Sequence, residues 1–443
     1  MRLLIASFTP KLIKDLAFSL KKMGLNIKIA SPLHTIPQDW IKDAIRLNSR
    51  TIKFQTKSLD IYAIRIDRQK TRAEESVLFC SSLALFLKEL PFCFDILIAC
   101  DWQTSLLLAY KKEGRIKAKA GIFFLQEMEH GFLPKNSDKV LDLPGRYFDE
   151  IDFYGEKSLL KAGILYSDAI VTLSPTYTKE LQNPEYAAGL DELIRKVKYK
   201  VFGILGGVDY QNWDPEKDIF IKENYSEKKL KGKISCKIDL LEELKIPKKK
   251  RDVEVPIIAM VTELEEQKGC TLVIEAAQRI LSMPLLMVIM GRGDPILEDI
   301  FLRLSEAYPN KFYVFLRSDP ILCHKIIAGA DMLLMPSLLA PYSKMHIYSM
   351  RYGTIPIVRA TGMLNDTVTD PDESTHATGF KFQRPDPYDM LKTIERAISV
   401  YKNKMKWNKI VKNAMKEVFS WDLTAEKYLR LFSFLLKSPL PGL

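Results

Sequence analysis

The stretch Met335–Val368, MPSLLAPYSKMHIYSMRYGTIPIVRATGMLNDTV, decides how the rest of the chain is read. It completes an apolar run of strand length (DMLLMPS) and continues as a loop, a helix from Lys344 to Arg351 and a glycine turn at Gly353. A second apolar run (IPIVRA) and a further glycine turn at Gly362 follow. Strand, helix and strand in that order make one turn of a parallel α/β sheet. Such sheets bind ligands at the loops after their strands, where unpaired backbone N–H groups and a helix dipole favour anions. The loop Leu338–Lys344 is therefore the expected place for chemistry, yet it holds no carboxylate, no glycine and no group charged at neutral pH before Lys344.

Outward from this stretch the pattern repeats. VPIIAMVTEL, PLLMVIMGRGD and KFYVFLRS read as earlier strands of the same sheet, and the chain from Tyr388 reads as helical, interrupted at Ser420-Trp421-Asp422. Gly291-Arg292-Gly293-Asp294 is a two-glycine turn after a strand and lacks the third glycine of a dinucleotide fingerprint. In the first half, strand Leu3–Ser7, helix Lys14–Met23 and strand Asn26–Ala30 form a βαβ opening. Its first connection has no glycine to bring backbone close to a phosphate, so it reads as structural. Residues 34 to 72 hold short strand-like runs (TIKFQ, IYAIRI), and Val77–Leu90 is expected to be an amphipathic helix.

FDILIAC is a strand ending at Asp101, a residue that suits either the N-cap of the next helix or a ligand hydroxyl. The strand in AGIFFLQEMEHGF runs into Gln126, Glu127, Glu129 and His130, which read as a solvated loop rather than an acid/base pair, since no group orients a base. Residues 142 to 166 are expected to be a helical insertion. At Ser174-Pro175-Thr176 a helix starts, with Thr176 as cap or Pro175 in the first turn. Two doubly wound domains with a cleft between them follow: residues 1–203 and residues 204–422, with Gln211–Arg251 as a charged linker.

A net charge of +11 is read as a lysine-rich surface, because the runs KKLKGK (Lys228–Lys233) and KKKR (Lys248–Arg251) lack the aromatic interleaving of a nucleic-acid reader. The six cysteines show no CxxC spacing, which points to reduced thiols and no metal site. The first apolar run is too short for a signal sequence and no stretch reaches the length of a membrane span, so a soluble, cytoplasmic protein is expected, without nucleic-acid or membrane partners.

Several longer runs carry a resemblance. DWQTSLLLAY, SLLKAGILYSDAIVTLSPTYTKELQNPEYAAGLD, FGILGGVDYQNWDPEKD, EEQKG, AGADMLLMPS, MRYGTIPIVRATG…NDTV and WDLTAEKYL resemble, in this order, the bacterial glycogen synthase and starch synthase family. The resemblance implies the GT-B fold, two Rossmann-like domains facing across a cleft, with the last helix, 423–443, crossing back to join the first domain, 1–203. It also implies retaining transfer of glucose from ADP-glucose, or sometimes UDP-glucose, to the 4-OH of an α-glucan end, with no metal and no cofactor. Such chemistry needs cations and backbone N–H groups around a leaving diphosphate, and a grip on the sugar in a dry cleft.

Position by position, the chain departs from that pattern. The family's Lys-X-Gly-Gly-Leu loop has no counterpart, and Lys14 is the nearest lysine, without the glycines that would aim it. The family histidine of His-Asn-Leu is Leu125, the histidine before Asp-Trp-Gln-Thr is Cys100, and Gly206 replaces the asparagine of Gly-Ile-Leu-Asn-Gly. In Arg-Leu-X-X-Gln-Lys-Gly, Lys268 remains while the arginine position is Glu263, and the base-stacking tyrosine is Ser318. The glutamate that would bind the donor glucose is Ala340, and the Gly-Leu-Thr helix start is Ser343-Lys344-Met345. Lys268, Asp101, Arg292, Gly291, Gly293, Lys344 and Arg317 remain as candidate substrate-binding residues, with Arg292, Lys344 and Arg317 as replacement cations. Two readings result: a catalytically impaired pseudoenzyme that binds α-glucan or partners an active glycogen synthase, which is preferred, and a divergent, active α-1,4-glucosyltransferase.

Overall fold

The run Leu3–Ala6 is apolar at every residue, and all four side chains are buried, as a parallel strand covered on both faces requires. In a computed structural model that describes residues 1–40, 45–56, 59–67, 71–133 and 143–437, it is the central strand of the first of two units. This unit runs from Met1 to Gly207 and takes in the segment from Ser420. Its strands are β1 (Arg2–Ala6), β2 (Asn26–Pro32), β3 (Ile45–Arg46), β4 (Thr51–Thr56), β5 (Leu59–Ile64), β6 (Phe94–Cys100), β7 (Ala118–Phe124), β8 (Phe132–Leu133), β9 (Asp152–Phe153), β10 (Glu156–Ser158), β11 (Ala169–Thr172) and β12 (Val201–Gly203). Nine of these form one sheet in the order β12-β11-β7-β6-β1-β2-β5-β4-β3. It is parallel from β12 to β5 and closes with the antiparallel edge β4 and β3, which accounts for the short runs between residues 34 and 72.

Several local expectations are corrected. The first helix, expected at Lys14–Met23, spans Pro10–Lys22, and Pro10 sits in its first turn, where the missing N–H costs nothing. The helix expected at Val77–Leu90 spans Arg72–Lys88 and begins with a Thr71–Glu74 capping box; it is buried on most sides rather than amphipathic. Within 142–166, the described residues form the helices Gly145–Glu150 and Leu159–Tyr166 with the β9–β10 hairpin between them, paired to β8 in a three-stranded antiparallel sheet. Residue 142 lies outside the described residues. Ser174, not Thr176, caps the helix Pro175–Glu180.

The second unit, Val208–Phe419, holds β13 (Ile257–Val261), β14 (Leu286–Met290), β15 (Phe312–Phe315), β16 (Met332–Met335), β17 (Ile355–Arg359) and β18 (Phe380–Phe382). They form a parallel sheet in the order β15-β14-β13-β16-β17-β18. Strand order reverses between β13 and β16, so the crevice of this unit opens at the C-terminal ends of those two strands. Residues 204–207, placed by sequence in the second domain, stay with the first: Ile204 N and Gly206 N donate to Thr172 O and Leu173 O, and the helix Trp421–Leu436 packs so close that a Cβ on Gly207 would lie 2.4 Å from Trp421 N. The supposed linker Gln211–Arg251 contains the helix Lys231–Glu243, whose Lys237 is buried. The C-terminal helical region also breaks at Asn403, which caps Lys404–Lys416. No helix of the described residues is long and apolar enough to cross a membrane.

Candidate active site

In the second unit, the loop between β16 and the helix Met345–Arg351 is fastened from three sides. Leu338 N donates to Gln267 O at 2.8 Å, and the buried Arg359 donates from Nε to Ser337 O at 2.9 Å and from Nη2 to Leu338 O. Met363 N donates to Ala340 O at 2.8 Å. Two glycines permit these approaches: Gly269 (φ 75°), where a Cβ would stand 2.2 Å from Pro336 O, and Gly362 (φ 46°), where it would stand 2.0 Å from Ala340 O. The backbone of the loop is thus held as a rigid ligand loop would be, and Ala340 is buried on it with no carboxylate to offer.

Three of the candidate cations beside this crevice have a carboxylate of their own. Lys268 Nζ lies 3.4 Å from Glu263 Oε2, Arg292 Nε lies 3.0 Å from Glu298 Oε1, and Arg317 Nη2 lies 3.2 Å from Asp319 Oδ2. Glu298 Oε1 also accepts from Gly293 N at 2.8 Å, so a side-chain carboxylate occupies the amide of the Gly-Arg-Gly turn. These hydrogen bonds, that of the amide above all, hold the Glu298 carboxyl below the usual carboxylate range. The two glycines of the turn serve packing: a Cβ on Gly291 would meet Thr262 O at 1.8 Å, and one on Gly293 would meet Leu264 O at 2.3 Å. Lys344 stands at the helix start with its Nζ 5.4 Å from the Tyr342 ring centroid.

His346, one residue further, is fully buried, and burial pushes its pKa down to about 3, so the ring is neutral. Thr367 Oγ1 donates to Met363 O, so it accepts from His346 Nε2, which therefore carries the proton at 2.6 Å. Nδ1 is left as a buried acceptor without a partner among the described residues.

In the first unit, the ends of β1, β6 and β7 surround a cavity of about 220 Å³ lined by Phe8, Arg72, Asp101, Trp102, Gln126 and Glu127 among others. Asp101 does not cap the short turn Trp102–Thr104. Its carboxylate accepts from Gln126 N at 2.8 Å and from Gln126 Nε2 at 2.7 Å. Its backbone sits at φ 55° and ψ 179°, a region that residues other than glycine rarely adopt and that costs on the order of 1–3 kcal/mol. Burial of the carboxyl pushes its pKa up to about 7, the Gln126 bonds acting against that shift and the charge of Glu127 adding to it.

The loop after β7 is ordered, not merely solvated. Glu129 accepts from Trp102 Nε1 at 2.9 Å, and His130 is stacked on Phe132 with centroids 4.6 Å apart. His130 Nε2 faces the Ala188 carbonyl at 2.8 Å and must donate to it, which leaves Nδ1 to accept from Ser158 Oγ when the ring is neutral. Leu125, where the family histidine would stand, is fully buried, and Lys14 lies with its Nζ 5.0 Å from the Trp40 ring centroid. Sequence reasoning missed Arg359 and Glu298. Arginine at the end of an otherwise apolar strand was the signal for the first; the second, six residues from Arg292 across a helix start, gave none.

Comparison with known proteins fits this geometry. A family model described as the starch synthase catalytic domain matches residues 11–196, and one described as glycosyl transferases group 1 matches residues 242–414. A glycogen synthase of Koribacter versatilis is 37% identical over 358 residues, covering 78% of this chain and 73% of that protein. A glycogen synthase of Pseudothermotoga lettingae is 34% identical over 434 residues, covering 94% of this chain and 89% of its own length. Among solved structures, the catalytic domain of starch synthase IV from Arabidopsis thaliana, bound to ADP and acarbose, superposes with a TM-score of 0.84 at 24% identity, covering 98% of this chain and 99% of that one. The sucrose-phosphate synthase of Thermosynechococcus elongatus gives 0.63 at 14% identity, with 99% of each chain covered. The fold is GT-B, with two Rossmann-like domains.

Proposed function

The chain belongs to the glycogen synthase and starch synthase family, and we propose that it is a catalytically impaired member of it, acting in α-glucan metabolism by binding glucan or an active synthase. One observation carries the reading: Lys268, Arg292 and Arg317 are each matched by a carboxylate of the same chain, on a crevice whose sugar-facing position is Ala340. A leaving diphosphate needs unspent positive charge, because its stabilisation grows as negative charge develops in the transition state. Here that charge is spent in the resting protein. A donor diphosphate would compete with these carboxylates for the same three cations.

Glucan binding is supported by the first unit. The cavity beside Asp101 joins a carboxylate and an amide to the rim of Trp102, the mix of polar donors and aromatic surface that suits a sugar ring. The second reading, an active α-1,4-glucosyltransferase, draws on the intact fastening of the loop at Leu338–Ala340 and on Lys268.

Purified protein incubated with labelled ADP-glucose or UDP-glucose and glycogen separates the two. No transfer, together with sedimentation of the protein with glycogen or its capture by an active synthase, is the expected result. Transfer from either donor overturns the reading in favour of the enzyme. Loss of both glycogen and synthase binding removes its positive half.

A further inference from the structure

The second unit has a second cavity, of about 410 Å³, at the opposite end of its sheet from the crevice. Val253 and Glu254 lie just before β13, and Gly329 and Asp331 just before β16, so this cavity opens at the N-terminal ends of the same two strands whose C-terminal ends carry the candidate active site. Each of these strands is four or five residues long, so the two places are separated by about 15 Å of sheet.

Its floor is built from buried ions. Lys237 Nζ donates to Asp331 Oδ2 at 2.7 Å, to Tyr401 OH at 3.1 Å and to the carbonyls of Val253 and Val255. Lys233 Nζ reaches Ala328 O, Ala330 O, Tyr352 O and Thr354 Oγ1 and has no carboxylate among these partners. Burial pushes its pKa down to about 8, which leaves it largely protonated at neutral pH. The wall is apolar, formed by Ile234, Trp407 and Val411 with the Tyr401 ring. At the mouth stand Lys231 and Lys404, the latter 2.7 Å from Glu254. Four lysines therefore face two carboxylates, Asp331 and Glu254, around a largely apolar space. The helix Lys404–Lys416 that supplies part of the wall carries five lysines and no acidic residue.

We propose that this cavity is a binding site for a small amphipathic anion: an aromatic or alkyl body against Trp407, Val411 and Ile234, and an acidic group at Lys231, beside the Lys404–Glu254 pair. A neutral sugar finds too few polar partners on the wall, and a bare inorganic anion leaves the apolar surface wet. The volume falls in the range of roughly 300–1,000 Å³ usual for small-molecule sites. The excess of four lysines over two carboxylates around the space favours an anion over a neutral body of the same shape.

The test uses the full chain and two matched probes, 1-anilinonaphthalene-8-sulfonate and the uncharged N-phenyl-1-naphthylamine, titrated by fluorescence. Saturable one-to-one binding of the sulfonate is expected, at least tenfold tighter than that of the neutral probe. Lys231→Glu is expected to weaken the sulfonate tenfold or more, and Asn408→Trp, which fills the mouth from an exposed position, to abolish it. Lys416→Glu, on the same helix and outside the cavity lining, leaves it unchanged. Equal binding of the two probes, or sulfonate binding untouched by both Lys231→Glu and Asn408→Trp in variants with unaltered circular dichroism and thermal melting, overturns the proposal. So does the absence of saturable binding.

Discussion

Replacing Glu263 by arginine should turn the crevice of the second unit from a neutralised site into a cationic one. The change removes the carboxylate 3.4 Å from Lys268 Nζ and adds a positive charge, a swing of two units beside a diphosphate. At about 5 Å one unit-charge interaction is worth roughly 3 kcal/mol at an effective dielectric of 20 and roughly 0.8 kcal/mol in water. A buried carboxylate would call for the larger figure and a cost of ~6 kcal/mol. The structure argues for the smaller one, because the Glu263 side chain is 67% exposed and solvent screens it. The swing is then about 2 kcal/mol, a gain of roughly 30-fold in affinity for ADP.

Calorimetry with ADP on the parent, Glu263→Gln and Glu263→Arg should give affinities rising in that order, with the spacing compressed between 0.05 and about 0.5 M salt as the Debye length shortens. Adding Ala340→Glu should leave ADP nearly unaffected and tighten ADP-glucose alone, since only the sugar would meet the new carboxylate. Equal ADP affinity in all three proteins, with unchanged thermal melting, would refute the argument that internal ion pairing is what disables this crevice.

Three further outcomes follow from single groups. Asp101 has a folded pKa of about 7, above its unfolded value near 3.9, so the native state holds the extra proton between them. That contribution is full below about pH 4 and lost as pH rises through 7. It has an upper bound on the order of 4 kcal/mol, so denaturant melts should fall in stability across that window and Asp101→Asn should flatten the fall. Lys237→Ala leaves Asp331 buried without its partner and should cost about 3–5 kcal/mol in urea unfolding at pH 7. Gly362→Ala places a Cβ 2.0 Å from the Ala340 carbonyl at positive φ; it should destabilise by more than about 1 kcal/mol and raise proteolysis of the loop at Leu338–Lys344.

What could be read from the chain and what could not divide along a physical line. Features carried by one residue type at one place were legible: the apolar strands β13 to β17, the turn at Gly353, and the substitution of Ala340 in an otherwise family-like run, whereas the turn expected at Gly362 is the start of a short helix, Gly362–Thr367. Features that depend on two distant residues meeting were not. Lys233 and Lys237 lie in a region that reads as solvated charge, and the carbonyls of Ala328 and Tyr352 and the Asp331 carboxylate, supplied from far along the chain, make their burial tolerable. The short strand β18 lacked length as well as context, and Asp101 gave no sign that Gln126 would hold it off its expected cap. The crevice combines both cases. Its fastening by Gly269, Arg359 and Gly362 holds the backbone whatever the ligand-facing side chains are, so the loop can keep its shape after losing its chemistry. The pairing of Arg292 with Glu298 and of Lys268 with Glu263 then lowers the cost of leaving cations with no anion to bind, since it supplies one from the chain itself. A crevice built this way keeps its backbone shape and offsets its cations with no anion bound.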